Sequence, residues 1–156
     1  MTLYLVRHGQ AGHRSAAPEL DSDRPLSPRG EAEAIGVAKF LGSRPIGRIL
    51  SSPFRRCRQT VEPLAGVLGL PVEPTPALDE RADDAEILSL VAGLTGVDAA
   101  LCTHGNIVPV VLDHLRRNGT HFGPGPHDWK KGSVWVLETD GRGAFTQARY
   151  VPPVRG

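Results

Sequence analysis

Strand-length apolar runs alternate with segments of helical period along nearly the whole chain, which restricts it to an α/β domain built on a mostly parallel sheet. Residues 3–6 predict a buried strand. After a polar loop, Ser27-Pro28 predicts a helix with a serine N-cap and a proline in its first position, and Ala34, Val37, Ala38 and Leu41 form its inward stripe. Residues 48–51 predict a second strand. Ser52-Pro53 repeats the cap signal before a helix with Val61, Leu64, Ala65 and Leu68 at i, i+3, i+4 and i+7, stopped at Gly69. Residues 70–73 read as a short edge strand. Residues 84–94 read as a helix with Ile87, Leu90, Val91 and Leu94 inward, and residues 99–103 as a third core strand. Gly105-Asn106 is expected to open a helix that turns Val108, Val111, Leu112 and Leu115 to the sheet. Residues 117–131, rich in Gly, Pro and His, read as a long loop, and residues 133–138 and 144–150 as a closing hairpin. The expected architecture is a three-layer α/β/α sandwich.

Length and composition narrow the function. The 156 residues, 40% of them hydrophobic, fit one domain covering residues 1–156 with a sizeable core. Eighteen Lys and Arg against 17 Asp and Glu leave no basic excess for a nucleic-acid polymer or an anionic membrane. Any anion site must therefore be local. No stretch has membrane-spanning length, and the start of the chain lacks a leader pattern, so a cytoplasmic location is expected. Cys57 and Cys102 are far apart in sequence and read as reduced packing thiols.

In open α/β sheets, ligands bind beyond the carboxyl ends of the strands. Three such ends carry anion-binding chemistry. The first ends in Arg7-His8-Gly9, the second leads into Ser52-Pro53-Phe54-Arg55-Arg56-Cys57-Arg58-Gln59-Thr60, and the third ends in Thr103-His104-Gly105-Asn106. All three are expected to open onto one crevice. A transferring phosphoryl group spreads charge over its oxygens, and a planar guanidinium can hold two of them, so Arg7 and Arg56 are expected to clamp it. Arg56 would sit near a helix N-terminus, and the helix after His104 is expected to add free amides of its own. Cationic neighbours would keep His8 neutral and nucleophilic, with a backbone carbonyl in the Gly9 turn holding its other ring nitrogen. His104 is then a donor to a phosphate oxygen. A carboxyl group is needed as acid and base, from among Glu80, Asp79, Asp83, Asp84 and Glu86; Glu80 and Asp79 are the better loop-placed.

These residues resemble the histidine phosphatases, the phosphoglycerate-mutase-like superfamily, over essentially the whole chain. Leu5-Val6-Arg7-His8-Gly9 looks like the nucleophile motif, Ser52 to Thr60 like the second motif, and Thr103-His104-Gly105 like the second-histidine motif. The resemblance implies a phosphoglycerate-mutase-like fold and a phosphorylated His8, with Arg7, Arg56 and His104 around the phosphate. In Leu78-Asp79-Glu80-Arg81 it implies Glu80 as proton donor. It further implies a substrate that is either a phosphorylated small molecule or a phosphohistidine protein, and no cofactor or metal is expected. Two subgroups are similar: short phosphohistidine phosphatases, through length and Arg24-Pro25-Leu26-Ser27, and the phosphatase domain joined to some Nudix hydrolases, through Glu62-Pro63-Leu64-Ala65 and the run from Lys131 to Leu137. Arg14 stands where members with Asn use it on phosphate, so Arg14 either substitutes or is solvated. Gln10 stands where many members carry Glu.

Competing readings are a non-catalytic phospho-ligand module, which would not need both His8 and Glu80, and a metal hydrolase. His13, His114, His121 and His127 lack metal-ligand spacing. Arg55 and Arg58 are expected in surface pairs, and Trp129-Lys130-Lys131 either lines the crevice mouth or, the preferred role, anchors the loop.

Overall fold

A computed structural model describes residues 1–12 and 18–154. Its strands are β1 (Thr2–Arg7), β2 (Ile46–Ser51), β3 (Val72–Pro74), β4 (Asp98–Thr103), β5 (His121–Phe122), β6 (Val134–Thr139) and β7 (Phe145–Val151). The helices are α1 (Pro28–Leu41), α2 (Arg55–Leu68), α3 (Asp84–Gly93) and α4 (Val108–Arg117). The strands join in one sheet of order β3-β2-β4-β1-β6-β7-β5. β3, β2, β4 and β1 run parallel, and β6 pairs antiparallel with both β1 and β7.

Alternation along each strand divides the core into two layers. Leu3 and Leu5 of β1 and Leu101 of β4 pack with Ile87 and Val91 of α3 and with Val108, Val111, Leu112 and Leu115 of α4. Tyr4 and Val6, one residue out of phase, pack with Val37 and Leu41 of α1 and with Val61 and Leu64 of α2. The result is a helix–sheet–helix sandwich, as the alternating pattern predicts.

Local signals account for most element ends. The Ser27 hydroxyl accepts from the Gly30 amide, as an N-cap does, and Gly69 closes α2 in the left-handed conformation at φ 67°. Asp83 and Glu86 form a reciprocal capping box at the start of α3.

Three local expectations need correction. α2 begins at Arg55 with Phe54 as its N-cap residue and no side-chain cap, so Ser52 does not cap it. α4 begins at Val108, because the His104 carbonyl accepts from the amides of Ile107 and Val108 in a tight turn; these two amides are taken, not free. The span 117–131 is not all loop, since His121 and Phe122 add a two-residue strand alongside β7. No described helix is long and apolar enough to cross a membrane.

Candidate active site

The register of the central strands brings the three motifs together. Arg7 lies opposite Thr103, and Ser51 opposite Cys102, so β1, β4 and β2 end nearly level. The residues just past them are tied across: the His8 amide donates to the Thr103 carbonyl at 3.0 Å, and the Ser52 amide to that of Cys102 at 2.9 Å. His8 and His104 line a cavity of about 360 Å³ with Arg7, Arg24, Arg56, Glu80 and Lys131.

The His8 ring is buried, with Nδ1 2.7 Å from the Gly9 carbonyl oxygen. A carbonyl only accepts, so Nδ1 carries the proton and Nε2 keeps its lone pair. Burial is the main cause that pushes the imidazole pKa down to about 3; the Gly9 carbonyl opposes this, and Arg56, Arg7 and Lys131 add to it. His104 is likewise lowered to about 3, first by burial and then by His8 and Arg56. The two rings meet edge to face with centroids 5.4 Å apart.

Both shifts carry a stability consequence. In the unfolded chain these imidazoles titrate near 6.5, so between pH 6.5 and 3 the unfolded state binds protons that the folded state refuses. Their contribution is complete above pH 6.5 and is lost as pH falls toward 3, with a slope of at most about 1.4 kcal/mol per pH unit for each ring. Denaturant titrations from pH 7 to 4 are expected to show a shallower decline for His8→Asn than for the wild type. Equal slopes would contradict the buried neutral imidazole.

Arg56 is 1% exposed, on the first turn of α2. Its Nη1 donates to the Asp21 carbonyl at 2.9 Å, and its Nη2 lies 3.3 Å from both Asp21 Oδ2 and Glu80 Oε2. Asp21 Oδ1 also holds Arg24 Nε at 3.0 Å, so one buried carboxylate sets two guanidinium groups. Arg7 Nη1 donates to the Trp129 carbonyl at 2.8 Å. Its guanidinium lies flat against Gly105, where a Cβ would come within 2.7 Å of Cζ; the close approach requires glycine. Arg7 Nε, Arg56 Nε and His104 Nδ1 are buried without a hydrogen-bond partner among the described residues. An oxyanion in the cavity supplies acceptors of the kind that buried donors need.

Ser52 acts on His104. Its hydroxyl oxygen accepts from the Phe54 amide at 3.3 Å and lies 2.8 Å from His104 Nε2, so its own proton is free to go to that nitrogen. The His104 proton then sits on Nδ1, 3.6 Å from Glu80 Oε2. Thr60 connects the other two motifs: its hydroxyl accepts from the Gly9 amide at 2.9 Å and donates to the Arg56 carbonyl at 2.7 Å.

Among the described carboxylates, Glu80 alone lines the cavity. Asp79 pairs with Arg81 at 2.7 Å, which holds its carboxyl below the usual range, and Asp83 and Glu86 are engaged in the α3 capping box. Asp84 is exposed. The sequence reading missed Asp21, Arg24 as a cavity residue, and Ser52 as a partner of His104. Of Trp129-Lys130-Lys131, Lys131 lines the cavity and Trp129 anchors Arg7, so the segment takes both of the roles open to it. Arg55 faces Asp23 at 4.0 Å and Arg58 donates to the Pro53 carbonyl. His13 and Arg14 lie outside the described residues. Among the described residues, no three His, Cys, Asp or Glu side chains cluster as metal ligands do.

Fold and cavity together define an α/β sandwich protein with a cation-ringed histidine pair at the carboxyl edge of its sheet. Comparison with known proteins agrees with that class. The sequence profile of the histidine phosphatase superfamily (branch 1) matches residues 3–86, and the chain belongs to this superfamily. It is 32% identical over 97% of its length to an 8-oxo-(d)GTP phosphatase of Mycolicibacterium smegmatis, and spans 48% of that relative. It is 34% identical over 64% of its length to the phosphohistidine phosphatase SixA of Escherichia coli, and spans 63% of it. Among solved structures, the protein histidine phosphatase SixA complexed with tungstate superposes with a TM-score of 0.75 and 26% identity, covering 99% of this chain and 97% of the other. The chain thus spans about half to two thirds of these two curated relatives.

Proposed function

We propose that this chain is a metal-independent phosphatase that hydrolyses a phosphomonoester or a phosphohistidine by way of a phosphohistidine on His8. One observation carries the reading: the Gly9 carbonyl accepts a hydrogen bond from Nδ1–H of a buried, neutral imidazole, which leaves the Nε2 lone pair as a nucleophile in a cavity ringed by Arg7, Arg56 and Lys131. In the first step the Nε2 lone pair forms a bond to phosphorus, and the bond from phosphorus to the leaving oxygen or nitrogen breaks. Glu80 delivers a proton to the leaving group. Arg7, Arg56 and the His104 Nδ1–H hold the equatorial oxygens while their charge grows. In the second step Glu80 takes a proton from water, the water oxygen bonds to phosphorus, and the bond to Nε2 breaks to release phosphate.

The names of the relatives support hydrolysis of a phosphorylated compound, with phosphohistidine and a nucleotide as the two precedents. The presence of both a nucleophile and an acid speaks against a purely binding module. On this reading, residues 1–156 act as one catalytic domain in the cytoplasm. The test is turnover in EDTA against phosphohistidine peptide, nucleotides and sugar phosphates, with a denaturing alkaline quench to trap labelled enzyme and later acid treatment to release the label. An acid-labile phosphoenzyme that forms without added metal is the expected result. Turnover abolished by EDTA and restored by a divalent cation would overturn the metal-free mechanism.

A further inference from the structure

A second cavity, of about 540 Å³, adjoins the first and shares Arg7 and Lys131 with it. Its other cations are Arg29, on the first turn of α1, and Lys130, in the turn before β6; Pro152 and Pro153, just past β7, form a wall. Neither the phosphoryl-transfer steps nor the packing of the core uses Arg29 or Lys130. Both are exposed, and among the described residues neither they nor Lys131 has an ion-pair partner. Among the described residues, the single carboxylate in the wall is Glu33, which is 2% exposed and accepts from the Gln10 amide at 2.9 Å. Four cations thus face one carboxylate that is already engaged. Lys131, standing between the cavities, has its ammonium held below the usual range by burial and then by Arg7 and Arg24, against an opposing pull from Glu33, as expected where like charges outnumber their counter-ions. Beside it, Arg7 keeps a buried Nε without a partner.

Like charges in contact are unfavourable unless an anion joins them, and the phosphate expected at His8 covers only the first cavity. We propose that the second cavity is an anion subsite, so that the ligand carries a second anionic group, phosphate or carboxylate, held by Arg29, Lys130 and Lys131 while its phosphate sits against His8. The proposal rests on the phosphatase reading and deepens it: the subsite selects a small dianionic or polyanionic phosphate compound over a phosphohistidine side chain, which has no such group. Lys131 spans both sites and couples them.

Binding of non-hydrolysable probes separates the two ideas, because it does not depend on turnover. Calorimetric titration compares methylphosphonate, methylenediphosphonate and phosphonoacetate on the whole chain. The two probes with a second anionic group are expected to bind at least about tenfold more tightly than methylphosphonate, one charge-assisted contact being worth roughly that factor. The R29Q/K130Q variant is expected to lose about tenfold of that preference. A charge-matched control, R117Q/R142Q, is expected to keep it. A stronger gain with methylenediphosphonate assigns the second group as phosphate, and a stronger gain with phosphonoacetate as carboxylate. Equal affinities for all three probes, or an equal loss in both double variants, would overturn the subsite and leave the phosphatase reading standing. Failure to bind even methylphosphonate would overturn both.

Discussion

Replacing His8 by alanine is expected to lower kcat by about 10⁴-fold or more and to abolish the acid-labile phosphoenzyme, while the chain still folds and still binds phosphate. The size follows from chemistry the substitution cannot spare. His8 Nε2 has a free lone pair, because the Gly9 carbonyl holds the ring and fixes its proton on Nδ1. The neighbouring imidazole does not substitute, because His104 Nε2 lies 2.8 Å from the Ser52 hydroxyl and its Nδ1 faces Glu80. The guanidinium groups remain in His8→Ala, so phosphate binding persists and KM changes little. Stopped assays for turnover, together with phosphate titration, check both halves. Turnover within tenfold of wild type would sink the covalent route.

Arg56→Ala is expected to lower kcat/KM by about 10³-fold and to destabilise the fold by about 3–5 kcal/mol. Two effects combine at one side chain. The guanidinium, 1% exposed, is held by the Asp21 carbonyl, Asp21 Oδ2 and Glu80, so its removal strips a buried carboxylate of a charged partner. It also removes a donor fork from the phosphate. Thermal unfolding separates the parts: a drop of roughly 10 °C is expected for a domain of this size. Arg56→Lys keeps the charge and loses the fork, and is expected to recover stability more than catalysis. A variant that unfolds earlier yet keeps full kcat/KM in the cold would make Arg56 a structural residue only.

The sequence was most legible where cause and effect are close along the chain. The Ser27 cap, the Gly69 stop, the stripe of α4 and the alternation in β1 depend on neighbours within a few residues, and each is read directly. The convergence of His8, Arg56 and His104 was legible because three successive strand ends of a parallel sheet must share an edge. Ser52 was misread for the complementary reason. Ser-Pro is a strong local cap signal, yet the hydroxyl serves His104, 52 residues away, and nothing near Ser52 encodes that contact. Asp21 and Arg24 sit in a polar stretch without periodicity, which becomes part of the site only because Arg56 reaches across to it. The two-residue strand β5 is too short to leave a pattern. Glu80 was separated from Asp79 by family resemblance, and the structure supplies a physical distinction: Arg81 occupies Asp79.

The Thr60 hydroxyl, between the Gly9 amide and the Arg56 carbonyl, makes a joint of two segments that lie far apart along the chain. A valine of nearly the same shape fills the space but neither accepts nor donates, so one exchange strands the Gly9 amide and takes from the Arg56 carbonyl the second bond it receives beyond its helical one. The His8 turn and the arginine helix are therefore locked to each other before any ligand arrives, and drift at position 60 is constrained by both at once.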